Sequence, residues 1–176
     1  YSDGTPISDY HERILPSKIY SWSIADLLKC ETISKVASNQ LIIDYVSNYF
    51  GCLPTCYSIN CMLSDGTSLH GTTSRHRDQD DFKFLCLFVY LSDVDGSSGP
   101  HIYEKRTHLA NPHGEEGWEL DPPGEPVVLT GSPGEGFLTD SWGIHRGGHV
   151  APGKRRVCLW IRYGLYDNWT SRDCDK

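Results

Sequence analysis

From Tyr57 to Tyr163 no apolar stretch outlasts a single strand before a turn signal cuts it. The segments with strand character are Tyr57–Leu63, Phe82–Leu91, His101–Tyr103, Pro126–Leu129, Gly136–Thr139 and Val157–Tyr163. Asp65-Gly66, Asp95-Gly96, Gly99-Pro100, Pro122-Pro123-Gly124, Pro133-Gly134 and Pro152-Gly153 stand between them, and each favours a turn through its backbone preferences. Such spacing leaves no room for a helical bundle. It also leaves no run of the roughly 18 apolar residues that a bilayer-crossing helix needs. Many short strands with frequent turns predict a mainly β fold, a sandwich or jelly roll. Generous glycine (17) and proline (10) and a single methionine agree with that reading.

The first third reads differently. Ser23 is placed to cap a short helix at Ile24-Ala25-Asp26-Leu27-Leu28. A longer helix is expected from Ile33 to Tyr49, where Ile33, Val36, Leu41, Ile42, Tyr45 and Phe50 share a broad apolar stripe. Gly51 fits its C-terminal stop, and Pro54 prevents continuation. The expected organisation is one domain over 1–176, with a helical part over 1–56, a β core over 57–165 and a polar tail over 166–176.

A formal net charge of −7 gives no basic surplus to neutralise phosphates, which argues against a nucleic-acid or anionic-membrane partner. The chain opens Tyr1-Ser2-Asp3-Gly4, with no signal-peptide pattern. The seven cysteines are odd in number and do not follow a disulfide framework. They read as reduced thiols in a cytoplasmic protein; the alternative, a zinc site on Cys52, Cys56 and Cys61, lacks a second ligand pair.

The chemistry concentrates in three places. On an extended segment, His76 and Asp78 of His76-Arg77-Asp78 point to the same side. A turn-bounded His145 follows late, in Asp140-Ser141-Trp142-Gly143-Ile144-His145-Arg146-Gly147. Two imidazoles and one carboxylate make a facial triad with open positions, the ligand set of non-haem Fe(II) oxygenases. The third place is Lys154-Arg155-Arg156, leading into the last strand. An arginine fork there suits the distal carboxylate of a keto-acid cosubstrate. Strand parity favours Arg155, which shares the side of Val157, Leu159 and Ile161, over Arg156, which shares the side of Cys158, Trp160 and Arg162. Trp142 and Arg146 are candidates to touch the substrate. His101, His108 and His113 read as exposed or turn histidines. His149 is separated from a ligand role by Gly147-Gly148, and Asp80 and Asp81 read as a solvated turn. Asn168-Trp169-Thr170 matches a glycosylation acceptor, without a secretory context to use it.

The stretch from His76-Arg77-Asp78-Gln79-Asp80-Asp81 through Leu87–Asp95 to Ser98-Gly99-Pro100-His101, with Gly136–Gly147 and Arg155-Arg156 behind, resembles the phytanoyl-CoA dioxygenase-like family. Thr107-His108 sits where that family often has Ser-His. The resemblance covers roughly residues 35 to 165. It implies a double-stranded β-helix, Fe(II) on His76, Asp78 and His145, and 2-oxoglutarate with its far carboxylate on the arginine after the second histidine. It further implies hydroxylation of a C–H bond of a small molecule, with O₂ consumed and succinate and CO₂ released. Asp78 occupies the carboxylate position, which favours hydroxylation over halogenation. The competing readings are a cupin-type metal enzyme that needs no keto acid and a non-catalytic β-sandwich binding module. Substrate and oligomeric state are left open.

Overall fold

The computed structural model describes residues 20–65, 73–78, 83–109 and 124–165. Asp80, Asp81, His113 and Asn168-Trp169-Thr170 lie outside them. Ser23 begins α1 (Ile24–Leu28), its side chain accepting from Asp26 N. The helix expected over Ile33–Tyr49 is two helices, α2 (Glu31–Ala37) and α3 (Gln40–Phe50). Asn39 divides them. Its backbone is extended, and its side-chain oxygen accepts from Leu41 N and Ile42 N. Asparagine competes for backbone N–H groups, so it serves better as a cap than inside a helix; of the expected stripe, Ile33, Val36, Ile42 and Phe50 pack on the core on either side of the break, whereas Leu41 and Tyr45 are exposed and Val46 is the buried residue of α3. Gly51 ends α3 at φ +78°, a left-handed conformation that glycine adopts without steric cost.

The strands are β1 (Tyr20–Ser21), β2 (Thr55–Ser64), β3 (Phe84–Tyr90), β4 (His101–Glu104), β5 (Pro126–Leu129), β6 (Gly136–Thr139), β7 (His145–Gly147) and β8 (Arg156–Gly164). All six expected strands are present, β5 and β6 with the expected ends and the other four with shifted ones. β1 and β7, at two and three residues, are too short to leave a pattern in the sequence. A five-stranded sheet runs β1-β2-β8-β3-β6, and a three-stranded sheet runs β5-β4-β7. All pairings are antiparallel. This is the jelly roll, mainly β with N-terminal helices.

β3 and β8 lie in the middle of the large sheet and are covered on both faces. Leu85, Leu87, Leu159, Ile161 and Tyr163 pack against Leu27, Ala37 and Val46 of the helices. Cys86, Phe88, Tyr90 and Cys158, joined by Phe137 and Trp160, form a second core on the opposite face. The Phe88 ring lies 4.6 Å from that of His101 on β4, so this second face is turned toward the small sheet. Among the described residues, no helix is long and apolar enough to cross a membrane.

Candidate metal centre

The segment 73–78 runs beside the approach to β7 as a short antiparallel bridge. His76 N donates to His145 O at 3.0 Å, and His145 N returns the bond to His76 O at 2.9 Å. Asp78 N donates to Ser141 O at 3.0 Å. This pairing brings His76, Asp78 and His145 together across a long loop in sequence. His76 Nε2 lies 3.7 Å from Asp78 Oδ1, and His145 Nε2 lies 3.7 Å from Asp78 Oδ2. One ligand atom from each residue falls within 4.8 Å of the others. For metal–ligand bonds of about 2.1 Å, neighbouring ligands of an octahedron stand about 3 Å apart, so a small contraction closes this set on one ion.

Each imidazole is turned to offer the correct nitrogen. His76 Nδ1–H donates to Ser74 O at 2.8 Å, and His145 Nδ1–H donates to Gly143 O at 2.9 Å. Both Nε2 atoms are thereby left as lone-pair donors, the arrangement that outer hydrogen bonds impose on metal-binding histidines. Burial pushes the His145 imidazole below its ordinary value, against the pull of the Asp78 carboxylate. A neutral ring is what a cation requires.

The middle residue of the motif holds the site together. Arg77 is buried, and its Nη1 donates to Thr107 O at 2.8 Å and to Trp142 O at 2.5 Å. Thr107 in turn donates to Glu104 O and accepts from Ile144 N, both at 2.7 Å. Arg75 forms a two-pronged pair with Glu104 at 2.8 and 2.9 Å. The distal-histidine loop, β4 and the His-x-Asp segment are thus tied by buried or half-buried polar contacts. Tyr49 adds a tie from α3, its hydroxyl donating to Asp140.

A cavity of about 90 Å³ opens at the triad and is lined also by Phe88, His101, Gly147, Arg156, Trp160 and Arg162. Strand parity on β8 does not bring Arg155 to the triad. The Val157–Ile161 side of β8 is indeed core-facing, but it faces the helices; Arg155 is exposed and lines no described cavity. The opposite side carries Arg156, Trp160 and Arg162 into the cavity with the triad. Arg156 Nη1 donates to Gly99 O, and Nη2 lies 3.5 Å from Ser64 Oγ. Arg162 stands 3.7 Å from Asp78 Oδ2.

His101 also departs from expectation. It is 5% exposed, not a surface or turn residue, and its ring stacks 5.2 Å from that of His145. Gly-Pro before a strand reads as a turn, so nothing nearby signals that the next side chain points inward. His149 is exposed and His108 half-buried, neither with the triad. Arg146 alternates away from His145 on β7 and is exposed; Trp142 is half-buried and offers its carbonyl to Arg77. Neither lines a described cavity, so the expectation that they touch substrate loses its geometric basis. A larger cavity, about 480 Å³, is walled by Leu85, Leu129 and Phe137 with Tyr45, Tyr103 and Asp140 among its polar groups. Tyr103 is the cross-strand partner of His145.

No protein-family profile matches the chain, and no curated protein sequence matches it. Solved structures do share its fold. SnoN, a non-haem α-ketoglutarate-dependent epimerase of nogalamycin biosynthesis, superposes with a TM-score of 0.66 at 17% identity over 86% of this chain. The chain spans 64% of the length of SnoN. SnoN is also known in complex with Fe³⁺, α-ketoglutarate and nogalamycin RO. SnoK, an α-ketoglutarate-dependent carbocyclase of the same pathway, gives 0.67 at 16% identity over 86% of this chain and 67% of its own. EctD from S. alaskensis, with bound Fe, gives 0.61 at 16% over 79% of this chain and 54% of its own. At these identities the likeness establishes the jelly roll.

Proposed function

We propose that this protein is an Fe(II)- and 2-oxoglutarate-dependent dioxygenase, one domain over 1–176, that hydroxylates a C–H bond of a small molecule and releases succinate and CO₂. The observation that carries the reading is the convergence of His76, Asp78 and His145 on one point inside a jelly roll, in a cavity that also holds an arginine from β8. His76, Asp78 and His145 would hold the iron on one face and leave the other open. Of the two candidate arginines, Arg156 is assigned the keto acid's distal carboxylate, a reading supported by its position in the lining of the triad's cavity. Bound together, the iron and keto acid supply the oxidising power for O₂-dependent attack on carbon.

The chain's own residues do the rest. Ser74 O and Gly143 O fix the two imidazole tautomers. Phe88 and Trp160 keep the cavity wall apolar. SnoN and SnoK support the cofactor pair by analogy of fold and EctD supports the iron, and the epimerase and carbocyclase reactions of SnoN and SnoK leave the choice of hydroxylation to the intact aspartate and the resemblance to phytanoyl-CoA dioxygenase-like enzymes. The 480 Å³ cavity is of the size that small-molecule ligands occupy, which supports a small-molecule substrate. Six cysteines in the described residues are free thiols, which supports a cytoplasmic setting.

The test is anaerobic titration of the Fe(II)-loaded protein with 2-oxoglutarate, followed by the visible metal-to-ligand charge-transfer band. The band is expected in the wild type and absent in His145→Ala. Bound Fe(II) without a band would turn the reading to a cupin-type enzyme, and no Fe(II) binding would turn it to a binding module.

A further inference from the structure

Resting on the dioxygenase reading above for the ligand's role as substrate, we propose that the 480 Å³ cavity takes a protonated amine carried on an apolar body, with its N–H groups on Asp140. Among the described residues this cavity shares no lining with that of the triad. The two spaces adjoin at Tyr103, the cross-strand partner of His145, and at Phe137, whose ring lies 5.5 Å from that of His101. A ligand seated there lies one side chain from the metal centre.

The polar groups of this cavity have used their protons. The Tyr49 hydroxyl donates to the Asp140 carboxylate, and Tyr103 Oη donates to Asp140 O at 3.0 Å. Burial, with the Asp140 carboxylate beside them, pushes both phenols up, so each keeps its proton and has only lone pairs left to offer. Asp140 Oδ1 accepts from Trp142 N at 3.0 Å, but a carboxylate has about four lone-pair sites and keeps others for a ligand. Thr139, 9% exposed, leaves its Oγ1 without a partner on the same wall. His108, with Nδ1 3.5 Å from Tyr103 Oη, donates or accepts according to its tautomer. No lysine or arginine is among the described residues of the lining. Lys83 lies over the Tyr49 ring and is held on Tyr49 O, and Arg77 is held on Thr107 O and Trp142 O. A ligand must therefore bring the donors. An acid or an acyl-CoA would set its negative charge against Asp140, and an alcohol brings one proton. A primary ammonium brings three donors and a charge that suits both the carboxylate and the faces of tyrosine and phenylalanine rings. The apolar walls, Leu85, Val127, Leu129 and Leu138, take its hydrocarbon body.

The experiment measures three rigid probes of one shape by calorimetry near neutral pH: 4-phenylbenzylamine, 4-phenylbenzyl alcohol and biphenyl-4-carboxylate. Each is titrated into the full chain before and after anaerobic loading with Fe(II) and 2-oxoglutarate. The amine is expected to bind about tenfold more tightly than the alcohol, and the carboxylate most weakly. Asp140→Asn, which keeps the shape of the side chain and removes its charge, should weaken the amine about tenfold and leave the alcohol within about twofold. Val127→Lys, on the cross-strand neighbour of Tyr103, should weaken the amine and tighten the carboxylate, which no general loss of structure would do. Thermal midpoints of both variants are measured alongside. An alcohol or carboxylate that binds the wild type as tightly as the amine, or an Asp140→Asn loss equal for amine and alcohol, would overturn the amine site while the dioxygenase reading stands on its charge-transfer band. Amine selectivity in a protein that gives no such band would uphold the site and remove its role in a dioxygenase.

Discussion

Replacing Arg156 and Arg155 separately tests which face of β8 is functional. Arg156 uses Nη1 on Gly99 O and Nη2 on Ser64 Oγ and keeps Nε without a partner, in the lining of the triad's cavity. A carboxylate accepting from Nε and from the second N–H of Nη2 gains two charge-assisted bonds, each worth about 1.5–3 kcal/mol. Allowing for the residual cationic surroundings, Arg156→Ala should cost about 3 kcal/mol of 2-oxoglutarate affinity, roughly a hundredfold in Kd. Arg156→Lys keeps the charge and loses the fork, so about tenfold is expected. Arg155 is exposed, and Arg155→Ala should change Kd less than about twofold. Calorimetric titration of 2-oxoglutarate into anaerobic Fe(II) protein reads all three. Arg156 also satisfies Gly99 O, so unchanged Fe(II) binding and a cooperative thermal transition must accompany the loss. An Arg155→Ala defect equal to or larger than that of Arg156→Ala would refute the assignment of the interior face.

Two further predictions concern how the triad is held. A Cβ at Gly143 would overlap the Tyr103 hydroxyl and ring, so Gly143→Ala should displace the loop before His145 and weaken Fe(II) binding by about tenfold or more; Tyr103→Phe should not rescue it, whereas Tyr103→Leu should, in Fe(II) titrations of the double variants. Glu104 loses some acidity to burial, but its Arg75 pair and the Gly124 N–H outweigh this and hold its carboxyl below the ordinary 4.5. A depressed value stabilises the fold above about pH 4.5 and is lost as pH falls through the folded value. In urea denaturation, Glu104→Gln should therefore cost about 1–3 kcal/mol at pH 7, and its deficit should shrink below pH 4.5; a deficit independent of pH would show that the carboxylate charge is not what matters.

Much of the fold was legible because turn chemistry and strand length are local properties. Gly99-Pro100, Pro133-Gly134 and Pro152-Gly153 mark the strand ends, and β2, β3 and β8 read directly from their apolar runs. The break at Asn39 was hidden because the apolar stripe of α2 and α3 continues across it, and capping is decided by one side chain. β7 could not be read at all. It exists because 73–78 and β4 bond to it from distant parts of the chain, and three residues carry no period of their own.

The site divides along the same line. His76 and Asp78 were readable because alternation forces i and i+2 to one side, and His145 because a turn-bounded histidine follows the β core. The orientation of β8 was not readable by the same rule. Alternation says which residues share a face but not what covers it. In a strand buried on both sides, the more apolar face goes to the partner that offers only apolar groups, here Leu27, Ala37 and Val46 of the helices. The face that keeps Arg156, Trp160 and Arg162 then turns toward the triad's cavity, where polar atoms can be used. In a jelly roll with helices packed outside, a basic residue at the start of the last strand is therefore better assigned by following its polar neighbours than its apolar ones. Arg77 obeys a related logic: a charged side chain between two ligands must point away from them, and in this fold away is inward, onto the carbonyls of Thr107 and Trp142.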